Sequence, residues 1–288
     1  MPALITPFDG NGELDREAHR HNIEFLSSRG IKGFVIAGST GEGPYLEPGE
    51  RSTLVAAARS VSPTTYLLCG INGETVRMAS AQIREAADAG ADAVLVITPT
   101  TLVRNRHTEI EAFYDAAASS SPLPVYLYTV PPVTGYELPL ESIARLAGHP
   151  AIAGMKDSSG KAQRIAELAG DLPDDFTTFV GTSRAITAGI AAGAHGAITA
   201  SANYCWPLVG EVVANAAAGD AASANLQERL TRLAAQVEPH GLAATKAAAE
   251  IVGLLAGLPR PPLQPLHQSR LQDLLQALAE AGLKPQSA

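Results

Sequence analysis

One lysine stands where a lysine is physically unusual, at the end of an apolar run. Residues 151–160 read AIAGMKDSSG, so Lys156 closes a short buried strand and a polar turn follows it. Lysine is rarely buried without compensation, and burial favours the neutral amine over the ammonium. A neutral amine in a dry pocket attacks carbonyl groups and forms a Schiff base. From this segment alone, such chemistry and a lysine that reaches past the strand into water both remain open.

A second polar feature is the loop at 38–42, which has the sequence GSTGE. Its flanking glycines allow consecutive backbone N–H groups to face an anion. With the hydroxyls of Ser39 and Thr40, the loop suits a carboxylate, and a tight turn that opens the next helix is the alternative. Glu42 is expected to hold the loop rather than to react.

Tyr128 ends another apolar run, in the segment YLYTVP at 126–131. Its phenol is a candidate general acid and base for the oxygen that leaves a carbinolamine. A tyrosine that packs in the core with its hydroxyl in water fits the same position. The chemical interpretation gains weight from the presence of Lys156.

The elements that must position these residues alternate between strands and helices. Apolar runs separated by helical stretches indicate parallel strands that are buried on both faces. Eight such units within residues 1–218 favour an α/β fold of the (β/α)8 TIM barrel type, and no GxGxxG turn follows the first strand to support a dinucleotide fold. The predicted strands are residues 3–5, 33–37, 65–69, 93–97, 124–128, 152–155, 177–180 and 196–199.

In such a barrel, reactive groups lie at the carboxyl ends of the strands and in the loops that follow. Lys156 ends the sixth predicted strand, Tyr128 ends the fifth, and Ser39 and Thr40 follow the second. We therefore expect three distant parts of the chain to converge at one mouth.

Beyond residue 218 the alternation stops. Residues 221–237, 242–255 and 266–281 predict three helices, with a proline-rich linker before the last one. The alanine-rich middle helix is apolar over much of its surface, which favours packing against the barrel or an oligomer partner. The sequence thus predicts a catalytic barrel at 1–218 and a C-terminal helical extension at 219–288 that packs on it.

Composition narrows the class of protein. The 288 residues are 46% hydrophobic and 17% charged, which is typical of a globular chain. A net charge of −8 argues against nucleic acid or anionic membrane as a partner. Since no leader or membrane span stands out, we expect a cytoplasmic enzyme. Cys69 and Cys205 are expected to be buried thiols, His195 is expected to be structural, and no metal or other cofactor is predicted.

Three motifs in order resemble the signatures of the dihydrodipicolinate synthase/N-acetylneuraminate lyase family. They are GSTGE at 38–42, YTVPPVTG at 128–135 and GMKDSSG at 154–160. The resemblance extends from Leu4 nearly to the end of the chain. It implies a TIM barrel with a C-terminal helical extension, a homotetramer built as a dimer of dimers, and class I aldolase chemistry on pyruvate or another 2-oxo acid.

The resemblance also implies roles for individual residues. Lys156 becomes the Schiff-base lysine, Tyr128 the proton-relay tyrosine, and Ser39 and Thr40 the carboxylate binders, with Thr40 counted as catalytic as well. The remaining substrate-binding positions are Gly41, Thr101, Gly181 and Ile198.

Departures from the family pattern bear on the substrate. Val133 stands where the synthase branch has an arginine for the second substrate's carboxylate, and Thr100 and Thr101 replace its second tyrosine. Residues 181–184 lack the acidic side chains with which sialic acid lyases hold a polyol. The motifs are most similar to those of 4-hydroxy-2-oxoglutarate and 2-keto-3-deoxy sugar-acid aldolases. A distal carboxylate could meet an arginine, or these charges could simply be solvated; the candidates are Arg184, Arg104 and Arg106.

The sequence therefore predicts a Schiff-base lyase that cleaves or forms a C–C bond between pyruvate and an aldehyde, with a 4-hydroxy-2-oxo acid as substrate. Three alternatives stay open: a 4-hydroxy-tetrahydrodipicolinate synthase, a sugar-acid dehydratase, and a non-catalytic barrel that binds a 2-oxo acid.

Overall fold

A computed structural model describes residues 1–283 of the chain. Within these residues the strands form one parallel sheet, in which each strand pairs with the next in chain order. The seven strands of the described residues are β1 (Gly33–Ile36), β2 (Tyr66–Ile71), β3 (Ala93–Ile97), β4 (Val125–Thr129), β5 (Ile152–Asp157), β6 (Thr177–Val180) and β7 (Gly196–Ala197).

The sheet is curled, and the first residues of the chain contact both of its edges. Ala3 forms a parallel bridge with Val35 of β1, and Pro2 forms one with Thr199 just beyond β7. The Asn203 side chain continues these contacts, since its Nδ2 donates to the Ala3 carbonyl at 2.8 Å. The predicted strand at 3–5 is thus a pair of isolated bridges, because the following Thr-Pro pair ends the extended segment.

Helices surround the sheet. In residues 1–283 they are α1 (Arg16–Ser27), α2 (Glu50–Val61), α3 (Val76–Asp88), α4 (His107–Ser119), α5 (Pro131–Thr134), α6 (Leu140–Ala147), α7 (Ala162–Leu168), α8 (Ile186–Ala191), α9 (Trp206–Ala217), α10 (Ala222–Val237), α11 (Gly241–Ile251) and α12 (Leu271–Glu280).

The three helices that follow α9 correspond to the helices predicted from the sequence. α10 packs against α9 and the turn Ser183–Ala185, and α12 contacts α10 and α11. The middle helix ends earlier than predicted, because Gly253 has a φ of 103° and adopts a left-handed conformation that stops a helix. The division at residue 219 remains a prediction, and its last residues, 284–288, lie outside the described residues.

Alternate side chains of the strands enter two different cores. Val94 and Leu127 pack between the sheet and the helices. Leu95, Tyr126 and Tyr128 belong to a smaller inner core. This alternation is expected for parallel strands that are buried on both faces.

A register shift between β4 and β5 decides where Lys156 points. Val125 pairs with Ile152, but the next residue of β4 pairs with Gly154, so β5 accommodates one extra residue. Beyond that point Tyr128 pairs with Lys156. An extra residue reverses the alternation of side chains that follows it. As a result, Lys156 lies on the same face of the sheet as Tyr128.

Candidate active site

Lys156 and Tyr128 meet on the inner face of the sheet. The lysine Nζ donates to the tyrosine hydroxyl at 3.4 Å and lies 4.4 Å from the centre of its ring. Lys156 is 5% exposed and Tyr128 is 6% exposed, so the pair is largely shielded from water. A buried amine beside a phenol can attack a carbonyl while the phenol carries the proton.

The end of β5 is held from the opposite face. Asp157 is buried and accepts a hydrogen bond from Nε of Arg164 in α7 at 3.1 Å. The same arginine contacts Glu137 at 3.1 Å. These ion pairs lock the strand end against the surrounding helices and fix the backbone from which Lys156 projects.

The loop after β1 has an unusual backbone that its surroundings hold in place. Ala37 and Glu42 both adopt positive φ angles, 56° and 55°. Left-handed backbone costs non-glycine residues about 1–3 kcal/mol, so neighbouring contacts must impose it. Thr6 donates to the Gly41 carbonyl at 2.6 Å, and a Cβ on Gly41 would lie 2.8 Å from the Leu4 carbonyl oxygen. The loop therefore requires glycine at position 41 for close packing.

A cavity of about 700 Å³ opens at the carboxyl ends of β1 to β4. Ser39, Tyr128 and Val133 line it there, and it continues between α2 and α3 to Arg51 and Gln82. Ser39 and Tyr128 thus share one cavity, which brings together two parts of the predicted site. The other predicted site residues are not part of its lining: Lys156, Thr40, Gly41, Thr101, Gly181 and Ile198.

Three predicted substrate-binding residues occupy different positions around the sheet. Ile198 is buried in the inner core with Tyr128. A Cβ on Gly181 would collide with the Ser158 side chain, so only glycine fits beside the end of β5. Thr101 is exposed, and Glu74 accepts its backbone N–H at 2.9 Å. Gly181 and Ile198 therefore lie near the lysine strand or the tyrosine, whereas Thr101 sits on the rim.

Ser158 is a polar residue that the motif analysis overlooks. It is 5% exposed, and its hydroxyl has no hydrogen-bond partner within residues 1–283. Its N–H donates to the Thr129 carbonyl at 2.9 Å, which continues the extended chain beyond Lys156. Residues two apart in extended chain face the same side. This spacing was the signal in the sequence, and the unpartnered hydroxyl is suited to a bound molecule.

Two of the three candidate arginines already have carboxylate neighbours. Arg106 contacts Glu109 at 2.9 Å, and both side chains are largely exposed. Arg184 lies 4.0 Å from Glu238. Neither guanidinium is free to bind another carboxylate without giving up this contact.

Arg104 differs from the other two. It is exposed and forms no ion pair within the described part of the chain. A Cβ on Gly135 would lie 3.6–3.8 Å from its Nη1, Cζ and Nε atoms, so the guanidinium covers the end of α5. Val133, two residues earlier, is 67% exposed and lines the cavity. A charged group thus lies next to the helix where the family's arginine is missing.

Other candidate ligands and thiols take no part in this arrangement. Within residues 1–283, no three His, Cys, Asp or Glu side chains are grouped so as to hold a metal ion. His195 accepts the Thr178 N–H at 3.1 Å, which is a structural role. Cys69 and Cys205 are buried free thiols, and burial raises the pKa of Cys69 to about 11. No helix of the described residues is both long and apolar enough to cross a membrane.

Comparisons with known proteins agree on one family. The model of the dihydrodipicolinate synthetase family matches residues 1–281. A 4-hydroxy-tetrahydrodipicolinate synthase from Exiguobacterium sp. is 33% identical over 287 residues, which cover 96% of this chain and 96% of the relative.

Two solved structures have the same fold. Dihydrodipicolinate synthase from Aquifex aeolicus superposes with a TM-score of 0.92 at 25% identity, covering 99% of this chain and 98% of that one. YagE, a prophage protein of the dihydrodipicolinic acid synthase family from E. coli K12 in complex with pyruvate, has a TM-score of 0.91 at 25% identity and covers 98% and 97%.

These matches confirm the predicted family and the Schiff-base, class I aldolase-type lyase chemistry. The curled parallel sheet with its helices matches the TIM-barrel fold of the relatives. The chain therefore belongs to the dihydrodipicolinate synthetase family, whose members are lyases that act through a lysine Schiff base.

Proposed function

We propose that this chain cleaves or forms the C–C bond between pyruvate and an aldehyde, with a 4-hydroxy-2-oxo acid as its substrate. The observation that carries the proposal is the buried contact of 3.4 Å between Lys156 Nζ and the Tyr128 hydroxyl. The pyruvate complex of YagE supports pyruvate as the 2-oxo acid.

The proposed reaction begins with substrate binding at the loop after β1. Ser39 and Thr40 donate to the carboxylate of the 2-oxo acid, assisted by the backbone of Gly41. Lys156 attacks the C2 carbonyl, and Tyr128 protonates the carbinolamine oxygen, which leaves as water. The resulting iminium accepts electrons from the adjacent C3.

Cleavage then follows from this electron sink. Tyr128, now a phenolate, takes the proton of the C4 hydroxyl, and the C3–C4 bonding electrons move to the iminium. The products are an aldehyde and an enamine on Lys156. Protonation of the enamine at C3 and hydrolysis release pyruvate and restore the lysine, and the reverse sequence forms the bond.

Ser158 and Arg104 are our candidates for the part of the substrate beyond C3. The unpartnered Ser158 hydroxyl is suited to a substrate hydroxyl, since a buried polar group gains most from a matching partner. Arg104, beside Gly135 at the end of α5, is suited to a distal carboxylate, because guanidinium groups bind carboxylates with two parallel hydrogen bonds. Thr101 on the rim and Gly181 and Ile198 near the reacting pair complete the proposed pocket.

The synthase activity is the second candidate, because the Exiguobacterium relative bears that name. Val133 weighs against it, since an exposed apolar side chain stands where that branch places an arginine. The dehydratase and the non-catalytic binding protein are separated from the main proposal by products: loss of water without C–C cleavage, or no turnover.

The larger assembly is proposed on the same basis. We expect the bridges of Pro2 and Ala3 to act as the eighth strand of the barrel, and residues 219–288 to form the C-terminal extension. A cytoplasmic homotetramer, arranged as a dimer of dimers, without a metal or other cofactor is the expected form. Size-exclusion chromatography with light scattering tests the assembly.

Two measurements test the activity. Pyruvate with borohydride should leave a reduced adduct on Lys156, identified by peptide mass spectrometry; an unmodified Lys156 would refute the mechanism. A panel of 4-hydroxy-2-oxo acids, with pyruvate release followed by a coupled assay, names the substrate. Consumption of pyruvate only with aspartate semialdehyde would favour the synthase instead.

A further inference from the structure

A second buried lysine lies outside the pair that performs the chemistry. Lys246 of α11 is 1% exposed, and its Nζ donates to Glu42 Oε1 at 2.8 Å and to the Leu258 carbonyl at 2.9 Å. The lysine and glutamate side chains are 2% and 0% exposed. The ion pair therefore joins the C-terminal part of the chain to the loop after β1, in the interior of the protein.

Glu42 is bound at both carboxylate oxygens. While Oε1 accepts from Lys246, Oε2 accepts the backbone N–H of Arg260 at 2.7 Å. The backbone N–H of Glu42 donates to the Ser39 carbonyl at 3.2 Å. One residue thus connects the proposed carboxylate-binding turn to two positions in residues 246–260.

The pair is not needed merely to fill the core. Burial lowers the pKa of the Lys246 ammonium, and the Glu42 carboxylate opposes this shift. Buried ion pairs often add little net stability, and apolar residues of similar size can replace both partners at small cost. What an ion pair provides and an apolar pair does not is a fixed direction for the glutamate side chain.

That direction bears on the loop because Glu42 has left-handed backbone, with a φ of 55°. Such a conformation persists only when surrounding contacts impose it. Gly41, the preceding residue, is anchored separately by Thr6 at 2.6 Å. The two anchors hold the turn from opposite sides, one through the carbonyl of residue 41 and one through the carboxylate of residue 42.

We propose that Glu42 and Lys246 are positioning residues that aim the Ser39–Thr40 hydroxyls and amides at the substrate carboxylate. Residues 246–260 are then a working part of the active site and not only a packing element. This inference rests on the proposed carboxylate-binding role of Ser39 and Thr40.

Three variants and one control test the inference. Lys246→Met removes the ammonium but leaves the Glu42 carboxylate buried, so the double variant Glu42→Gln/Lys246→Met is made to remove both charges. Glu42→Gln alone retains the lysine. The control is Arg59→Met, which breaks the Arg59–Asp92 contact of 2.7 Å near the amino ends of the strands, away from the loop.

The main measurement is the pyruvate concentration at which borohydride traps half of Lys156, with thermal unfolding measured alongside it. Loss of a well-directed charged hydrogen bond to the carboxylate should raise this concentration at least about tenfold in all three variants. The double variant should unfold cooperatively and still show this weakened binding, and kcat at saturation should change less than KM. Arg59→Met should keep the half-trapping concentration of the unchanged protein.

Two results would overturn the inference. One is a folded double variant that is half-trapped within twofold of the unchanged protein. The other is a double variant that fails to fold, since the pair would then serve the fold itself. Failure of the proposed function is distinguishable from both, because in that case pyruvate would leave Lys156 untrapped in the unchanged protein.

Discussion

Tyr128 and Lys156 occupy paired positions on neighbouring parallel strands, with the phenol oxygen 3.4 Å from the lysine nitrogen. The pairing depends on the one-residue register shift near the start of β5. Without it, the alternation of side chains would turn the lysine towards the helices. The shift thus creates a buried amine–phenol pair in which one group can form the Schiff base and the other can move the proton.

Replacing the phenol should separate binding from chemistry. In Tyr128→Phe, the loss of the proton relay should lower kcat by roughly 10²–10⁴-fold, the range for general acid–base groups. Steady-state kinetics with the best substrate of the panel measure this effect. Tyr66→Phe, a partly exposed tyrosine on β2, is the matched control and should retain activity. A Tyr128→Phe enzyme within threefold of the unchanged kcat would remove the tyrosine from the mechanism.

Ser158→Ala should act on the far part of the substrate and leave pyruvate alone. Removal of one hydrogen bond should lower kcat/KM for a 4-hydroxy-2-oxo acid by roughly tenfold. Trapping by pyruvate and borohydride should stay unchanged, because pyruvate has no hydroxyl beyond C3. The neighbouring Ser159→Ala serves as control, since the Ser159 hydroxyl already accepts the Lys161 N–H. Equal effects of both substitutions on kcat/KM would contradict the assignment.

Arg104→Ala should change substrate preference rather than overall rate. If the guanidinium binds a distal carboxylate, the ratio of kcat/KM for 4-hydroxy-2-oxoglutarate to that for 4-hydroxy-2-oxopentanoate should fall by roughly 10–100-fold. Arg106→Ala, whose guanidinium is paired with Glu109, should leave the ratio intact. A ratio that is the same in Arg104→Ala and the unchanged enzyme would show that Arg104 is only a solvated charge.

A buried histidine should make the fold sensitive to acid. His19 of α1 is 1% exposed, and neither ring nitrogen has a partner in residues 1–283. Burial lowers the pKa of its imidazole from 6.5 to about 4, against a smaller opposing contribution from the Leu54 backbone. Between these values the unfolded chain binds a proton that the folded chain excludes, so stability falls as the pH drops from 6.5 towards 4. The full difference corresponds to roughly 3 kcal/mol.

Urea unfolding at pH 7 and pH 4.5 measures this contribution. His19→Leu should lose less stability between the two pH values than the unchanged protein, because the substituted side chain does not titrate. His240→Leu, at an exposed position, is the control and should keep the original pH dependence. Identical pH dependence in His19→Leu and the unchanged protein would rule out His19 as the source.

The sequence by itself determined the class of fold and the reacting pair. Apolar runs separated by helical stretches predict parallel strands, since only strands covered on both faces can be apolar throughout. Lys156 at the end of such a run, and Tyr128 at the end of the preceding one, are recognisable from residue type and position. The i, i+2 spacing of Lys156 and Ser158 was also available locally, although only the unpartnered hydroxyl shows its meaning.

Only the tertiary structure decided which residues meet. The register shift that faces Lys156 towards Tyr128 depends on pairing between strands, which leaves no periodic trace in one segment. Glu42 and Lys246 are separated by more than two hundred residues, and each alone resembles an ordinary charged side chain. The arginines after β3 differ only in their neighbours, because Arg106 has a carboxylate beside it and Arg104 has a glycine. Local sequence fixes the residue types, whereas contacts between distant segments fix their charge partners and directions.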